Sequence, residues 1–179
     1  MARLLILYVE AGHGHRKVAE AIRDELISRN IRDLRVEIFD ALDKTNRAFR
    51  SLYAKLYFRL VVQASWLWGF FYFLTNVPAL YALIAPLRSL WNRCHSRSLR
   101  QYVRREHFDL ILLTHFFPAE VCATEKKRGF IRSRLITIVT DVIPHAAWRN
   151  PGTDHYWVMA EESARVLVKG GVSRGQIHV

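Results

Sequence analysis

The chain has 179 residues, of which 51% are hydrophobic, and it carries a formal net charge of +11. This length and apolar content exclude a disordered tail and suffice for one α/β domain with a core. The two cysteines, Cys94 and Cys122, match neither a metal-binding spacing nor a disulfide framework, which favours a reducing compartment. The N-terminus shows no long apolar segment followed by a small-residue cleavage site, so we expect a cytoplasmic protein.

The first forty residues predict a strand, a helix and a second strand. Residues 3–9, RLLILYV, are an unbroken apolar run, which is typical of a strand buried on both faces of a parallel sheet. Residues 15–29 repeat apolar side chains with a period near 3.6 and predict an amphipathic helix. Residues 34–39, LRVEIF, predict the second strand. This order begins a doubly wound α/β sheet.

The loop AGHGH between the first strand and its helix is a candidate ligand site. Gly12 and Gly14 let the backbone approach a ligand, and a helix N-terminus supplies N–H groups suited to a phosphate or an oxyanion. A nucleotide- or NAD-binding loop is an alternative, but Lys17 occupies the third glycine position of that fingerprint; Asp40 lies roughly where a ribose-binding acid would stand. His15 is either a general base, which the helix dipole keeps neutral, or a hydrogen-bonded capping residue.

Residues 45–106 interrupt the alternation of strands and helices and predict a helical insertion, broken near residues 76–78 and at Pro86. Residues 44–105 include eleven basic residues and no acidic one. Residues 60–87 carry no charge and are long enough to span a bilayer. Proline and polar residues interrupt this stretch, however, and its many aromatic side chains are typical of a membrane interface.

We therefore expect the insertion to lie on a membrane, with aromatic side chains in the headgroup layer and basic side chains paired with anionic lipid. Packing of the aromatics in a core or a dimer interface, and a true span, are the other interpretations. A nucleic-acid partner is not expected, because the aromatics form an uncharged block instead of alternating with charges. The predicted membrane-docking residues are Arg59, Trp66, Trp68, Phe70, Phe71, Arg88 and Arg93.

The alternation returns after the insertion. Strands are predicted over residues 109–114, 134–140 and 155–159, and helices over residues 118–128 and 161–169. The final residues QIHV are suited to one more strand. The alternating pattern supports a Rossmann-like doubly wound parallel sheet with a helical insertion.

A second candidate site, TDVIPHAAW, follows the predicted strand 134–140. Ligands of open α/β sheets bind at the carboxyl ends of the strands, so Asp141, His145 and Trp148 are expected to face the same crevice as His15. Taken alone, these three residues favour loop capping and packing. No metal site is predicted, because the spacing of the histidines and carboxylates is not specific for one.

Two segments of the chain resemble a known family. AGHGHRKVAEAI, residues 11–22, resembles the glycine/histidine segment of the monogalactosyldiacylglycerol synthases and the bacterial processive diacylglycerol glucosyltransferases. VTDVIPHAAW and the run that follows it, residues 139–172, resemble that family's V-T-D-x-x-x-H-x-x-W segment and its continuation. The two segments occur in the family's order, with the basic aromatic insertion between them.

The resemblance implies the N-terminal, acceptor-binding half of a glycosyltransferase-B enzyme that moves sugar from a UDP-sugar to a diacylglycerol-type lipid, without metal or cofactor. It implies that His15 deprotonates the acceptor hydroxyl, although His13 stands where plant-type members have a glycine, so the choice between them depends on the alignment. Gly12 and Gly14 would shape the loop beside the donor phosphates. The residues implied to line the acceptor crevice are Asp141, His145 and Trp148, the last against lipid.

Residues 1–179 are then expected to form a single acceptor-binding domain that includes the insertion and lacks the donor-binding half. Such a chain is expected to bind the cytoplasmic side of an anionic membrane peripherally and to transfer little or no sugar alone. A non-catalytic membrane-docking module and an NAD- or nucleotide-binding domain are the alternative functions.

Overall fold

A computed structural model describes residues 1–10, 13–59 and 63–179, and it describes the backbone alone of Ala54, Tyr57, Phe58, Ser65 and Trp68. Within these residues, parallel strands form one sheet in the order β2-β1-β3-β4-β5-β6. The strands are β1 (Ala2–Tyr8), β2 (Leu34–Asp40), β3 (Leu110–Leu113), β4 (Arg134–Ile138), β5 (His155–Trp157) and β6 (Ile177–His178). The predicted strands are confirmed, most of them one or two residues shorter than the apolar runs that predict them.

Alternate residues of β1 face two separate hydrophobic clusters, because successive side chains of a strand point to opposite faces of the sheet. On one face, Leu4 and Ile6 pack in a cluster with Ala19 of α1 (His13–Ser28). On the other face, Leu5 and Leu7 belong to the largest cluster. Burial on both faces is the physical reason for the unbroken apolar run at residues 3–9.

The remaining helices are α2 (Arg47–Phe58), α3 (Ser65–Thr75), α4 (Pro78–His95), α5 (Arg97–Arg105), α6 (Phe116–Lys127) and α7 (Glu161–Lys169). Side chains of α2, α5 and α6, including Phe49, Leu99 and Phe117, belong to the largest cluster. Leu167 of α7 packs in a third cluster with Trp148 and Tyr156. Helices therefore lie on both faces of a parallel sheet, which confirms the Rossmann-like, doubly wound fold.

The insertion contains helices α2 to α5. Helix α3 ends at Thr75, α4 begins at Pro78, and the two helices are bent by 96° at this break, as the sequence predicts. The predicted break at Pro86 is wrong, because Pro86 lies inside α4. Pro86 and Ala82 are both exposed, so the carbonyl that loses its helical partner can bond to water.

Among the described residues, no single helix has both the length and the apolar character needed to cross a bilayer. Helices α3 and α4, which form a bent pair, meet both criteria only when they are taken together. This result considers length and composition alone.

An internal ion pair holds α4 against α6. Arg88 lies 3.1 Å from the carboxylate of Glu120, which is 8% exposed, and Asn92 donates to the same carboxylate at 2.7 Å. Arg88 also donates to the Tyr81 hydroxyl at 2.8 Å. A nearly buried carboxylate needs a partner, and Arg88 supplies it. The predicted contact of Arg88 with lipid stays a prediction.

Candidate functional site

The candidate site lies at the carboxyl ends of β1, β3 and β4. Strand β2 adjoins one side of β1, and β3 adjoins the other, so the chain reverses its direction of travel across the sheet at this point. A crevice forms outside the strand ends where such a reversal occurs, and ligands of open α/β sheets bind there. His15 follows β1, Thr114 follows β3 and Thr140 follows β4, which brings the three residues together.

Hydrogen bonds at Nδ1 orient the imidazole of His15. This nitrogen lies 2.8 Å from the main-chain oxygen of Thr114 and 2.8 Å from the Thr140 hydroxyl oxygen. A carbonyl oxygen only accepts, so Nδ1 carries the proton and Nε2 carries the lone pair. Among the described residues, no hydrogen-bond partner of Nε2 is found. Nε2 is therefore the ring nitrogen that can accept a proton.

Burial lowers the pKa of His15, while the hydrogen bond to Thr114 and the charge of Asp141 act in the opposite direction. The imidazole is consequently neutral near pH 7 and able to accept a proton. His13, the other histidine of the loop, is exposed at the start of α1. The geometry therefore favours His15 over His13 as the base.

A second histidine, His115, lies beside His15, with ring centroids 4.6 Å apart and an edge-on arrangement. Burial lowers the pKa of His115 well below its ordinary value. Its Nδ1 accepts the Phe117 N–H at 3.0 Å and so caps α6. The sequence analysis did not single out Thr114, the last residue of the predicted strand 109–114, or His115, which follows it.

Asp141 is held close to His15 by the indole of Trp148, whose Nε1–H donates to Oδ2 at 2.7 Å. The rings of His15 and Trp148 lie 6.2 Å apart, so the two sequence motifs do meet. Trp148 is, however, 0% exposed and packs against Phe116. The prediction that Trp148 lines the crevice against lipid is therefore wrong: the indole is a core side chain that positions Asp141.

His145 points toward the insertion. Its Nδ1 accepts the Ala147 N–H at 3.1 Å, and its Nε2 lies 3.0 Å from the Thr75 hydroxyl oxygen in α3. The ring packs against Tyr72, with centroids 4.8 Å apart. Both ring nitrogens are thus occupied within the protein, which corrects the prediction that His145 contacts the acceptor.

The two glycines of the first loop remain candidates for the donor side. Gly12 lies outside the described residues, so its predicted role beside the donor phosphates stays a prediction. Gly14 is the second residue of α1, and a Cβ built on it would meet no atom within 4 Å among the described residues. Within the described residues, no close contact therefore requires a glycine at position 14.

The structure disfavours the dinucleotide-binding alternative at Asp40. Its two carboxylate oxygens accept the N–H groups of Leu42 at 2.9 Å and of Glu10 at 3.3 Å. The residue is 5% exposed and stabilises the turn after β2, so it is not presented to a ribose. Among the described residues, no group of three or more histidine, cysteine or acidic side chains is arranged to hold a metal ion.

The neutral histidines make the fold sensitive to acid. Burial lowers the pKa of His145 to about 4 and also lowers the pKa values of His15 and His115. Below pH 6.5 these histidines bind protons in the unfolded chain but stay largely neutral in the folded chain. The free energy of unfolding therefore falls as the pH falls toward 4. After allowance for the partial exposure of His145, we expect this residue alone to account for about 1–2 kcal/mol between pH 7 and pH 5.

Urea unfolding of the wild type and of His145→Gln at pH 7 and pH 5 measures this effect. Glutamine does not titrate, so the variant is expected to lose less stability over the interval than the wild type. Equal losses in the two proteins would contradict the assignment to His145.

The fold and these residues define a doubly wound α/β domain with a neutral imidazole at the carboxyl ends of its strands. Residues 15–179 match the family model described as monogalactosyldiacylglycerol (MGDG) synthase, and the chain belongs to this family, to whose N-terminal domain it corresponds. The family resemblance noted from the two sequence segments is thereby confirmed.

Named relatives support the same assignment. Processive diacylglycerol beta-glucosyltransferases of Bacillus cereus (strain 03BB102) and Bacillus thuringiensis (strain Al Hakam) are each 24% identical to the chain over 175 residues. Each match covers 98% of this chain and 43% of the relative, so the chain spans less than half the length of these relatives.

A solved structure shares the fold. The lipopolysaccharide outer core galactosyltransferase WaaB, in its apo form, superimposes with a TM-score of 0.50 at 11% identity. The match covers 100% of this chain and 45% of that protein. This likeness bears on the fold, and it agrees with a domain that forms half of a glycosyltransferase-B architecture.

Proposed function

We propose that the chain is the acceptor-binding half of an enzyme that transfers sugar from a UDP-sugar to a diacylglycerol-type lipid. The observation that carries this proposal is the His15 imidazole at the point where the sheet reverses direction, with Nδ1 bonded to the Thr114 carbonyl and Nε2 left as the proton acceptor. The names of the relatives supply the class of acceptor.

In the proposed reaction, Nε2 of His15 takes the proton of the lipid hydroxyl while its oxygen forms a bond to the anomeric carbon of the sugar. The bond between that carbon and the UDP oxygen breaks, and UDP leaves with the electron pair. The imidazolium formed at His15 keeps its Nδ1 hydrogen bond to the Thr114 carbonyl. The nearby charge of Asp141 also favours the imidazolium. Base catalysis of this kind contributes about 10²–10⁴-fold.

The donor side of the proposed reaction needs the other half of the enzyme. Helix α1 begins at His13, shortly after the carboxyl end of β1, and helix N-termini favour phosphate oxygens. We assign the diphosphate of the donor to this end of the helix, with the sugar and nucleotide bound by the donor-binding half. As proposed, the reaction uses no metal and no cofactor.

The insertion is the proposed membrane-docking surface. Trp66, Phe70 and Phe73 follow the spacing of one helix face on α3, and Trp66 and Phe73 are 75% and 76% exposed. Phe71 is exposed as well. On α4 the exposed side chains Leu83, Leu87, Leu90 and Trp91, which the sequence analysis did not single out, form a second apolar stripe.

Charge complementarity supports an anionic bilayer as the partner of this surface. Arg59 and Arg93 are exposed, and residues 44–105 contain no acidic side chain that would repel anionic lipid. Each basic residue near such a surface contributes about 1 kcal/mol of binding.

The side chain of Trp68 lies outside the described part of the structure, so its predicted contact with lipid stays a prediction. We place the protein peripherally on the cytoplasmic side of the membrane.

The test of this function is sugar transfer to lipid. The chain is joined to the donor-binding half of the Bacillus cereus relative and mixed with labelled UDP-glucose and anionic vesicles that contain diacylglycerol. Labelled glycolipid is expected from the joined protein and almost none from the chain alone. Vesicle binding without any transfer by the joined protein would favour the non-catalytic docking module instead.

A further inference from the structure

The turn between α3 and α4 is hydrogen-bonded to the loop that carries Asp141. We call residues 72–76, the end of α3 and the turn, the elbow, and residues 140–148 the site loop. Asn76 Oδ1 accepts the Ala146 N–H at 2.9 Å, and the Tyr72 hydroxyl donates to the Ile143 carbonyl at 2.8 Å. Two main-chain groups of the site loop are therefore paired with side chains of the elbow.

Thr75 adds a third connection. Its hydroxyl donates to the Phe71 carbonyl at 2.6 Å, so it accepts a hydrogen bond from His145 Nε2–H at 3.0 Å. His145 Nδ1 in turn accepts the Ala147 N–H, which is in the same site loop. The sequence separation across these contacts is about 70 residues, so the fold and not the local chain creates them.

The other side of the site loop contacts the reacting groups. The Thr140 hydroxyl lies 2.8 Å from His15 Nδ1, and Asp141 influences the pKa of the same imidazole. Tyr72 also reaches this side, because its hydroxyl lies 3.5 Å from Asp141 Oδ2. A displacement of the elbow must therefore change the position of Asp141, of Thr140 or of both.

The outward face of α3 is the surface assigned to lipid. Phe73 is 76% exposed. In the sequence it lies between Tyr72 and Thr75, and the side chains of these two residues contact the site loop. One helix of three turns thus carries exposed aromatics on one side and site-loop partners on the other. Any restraint that a bilayer places on α3 is transmitted to the site loop through the elbow.

We propose that Thr75 and Asn76 are positioning residues through which contact of α3 with an anionic bilayer orders the site loop beside His15. This inference rests on the proposed function, since it needs α3 to meet lipid. It adds a regulatory consequence: the acceptor site adopts its ordered geometry chiefly at the membrane, where the lipid acceptor is found. Each neutral hydrogen bond of this kind changes an opening equilibrium by about three- to tenfold.

Amide hydrogen exchange of the chain, with and without vesicles of phosphatidylglycerol and phosphatidylcholine, tests the proposal. In the wild type, vesicles are expected to slow exchange over residues 140–148 by at least about fivefold. Thr75→Val removes the hydroxyl at nearly constant shape and is expected to abolish this vesicle-dependent protection. Thr75→Ser keeps the hydroxyl and is expected to retain it, which a merely structural role for the side chain would not predict.

Asn76→Ala and Asn76→Asp form a second pair, in which aspartate keeps the acceptor oxygen for the Ala146 N–H. Vesicle binding is measured for every variant. The uncharged variants are expected to stay within about twofold of the wild type, because no exposed aromatic is changed. The added charge of Asn76→Asp is expected to weaken binding about fivefold, so exchange of this variant is measured at a vesicle concentration that saturates it. Two results would overturn the coupling alone, provided that vesicle binding is intact. One is that vesicles do not slow exchange over residues 140–148 in the wild type. The other is that the two members of each pair, Thr75→Val with Thr75→Ser and Asn76→Ala with Asn76→Asp, show the same protection. Failure of the wild type to bind vesicles would overturn the proposed docking and this inference together, leaving the His15 chemistry untouched.

Discussion

Replacing His15 with alanine is expected to reduce sugar transfer by about 10²–10⁴-fold in the protein completed with a donor-binding half. The imidazole is neutral near pH 7 and can accept a proton at Nε2, so its removal leaves the acceptor hydroxyl without a base. Binding of the chain to anionic vesicles should not change, because His15 lies at the strand ends and not on α3 or α4. Initial rates of glycolipid formation and vesicle co-sedimentation measure the two properties separately.

His13→Ala is the matched control for this substitution. His13 is two residues away and exposed, so its loss is expected to leave the transfer rate within about threefold of the wild type. The rate of the wild type should also rise with pH through a pKa below 6.5, and this limb should be absent in His15→Ala. A variant at His15 with a normal rate, or a large loss at His13 instead, would remove His15 from the mechanism.

Replacing Trp66, Phe70 and Phe73 together with serine is expected to weaken binding to anionic vesicles by about 10- to 100-fold. The three side chains occupy one face of α3 and are exposed, so a bilayer can bury them without unfolding the helix. Burial of one large apolar side chain contributes about 1.5–3 kcal/mol when complete, and partial insertion of three supplies a similar total. The stability of the folded chain should change little, since these side chains contribute little to its core.

Ile27→Ser serves as the control, because Ile27 of α1 is 62% exposed but lies outside the insertion. This variant should bind vesicles as the wild type does. Arg93→Gln should weaken binding about fivefold, and the effect should disappear with zwitterionic vesicles or at high salt. If the triple variant bound lipid normally while the wild type alone formed dimers, the exposed aromatics would instead cover a protein interface.

Much of the fold could be read from local patterns in the sequence. The unbroken run at residues 3–9 predicts a strand buried on both faces, and the 3.6-residue period after it predicts α1, because these periodicities are properties of short segments. The break at residues 76–78 followed from proline chemistry in the same way. The Pro86 prediction failed because the exposure of a helix face, which decides whether an unpaired carbonyl meets water, is not a local property of the chain.

The candidate site was predicted in part. The alternation of strands and helices was sufficient to place His15 and Asp141 at the same edge of the sheet, since the carboxyl ends of parallel strands lie at one edge. Thr114 and His115 were missed, because nothing in the sequence marks a main-chain carbonyl as the partner of a distant imidazole.

The sequence by itself thus determined the alternation, the acid-free aromatic insertion and the two motifs that indicate the family. Only the tertiary structure decided that Trp148 is a core residue, that His145 binds the elbow and that Arg88 pairs with Glu120. The physical reason is the range of the interactions involved. Periodicity and turn chemistry act over a few residues, whereas burial and hydrogen-bond pairing depend on which distant segments the fold brings into contact.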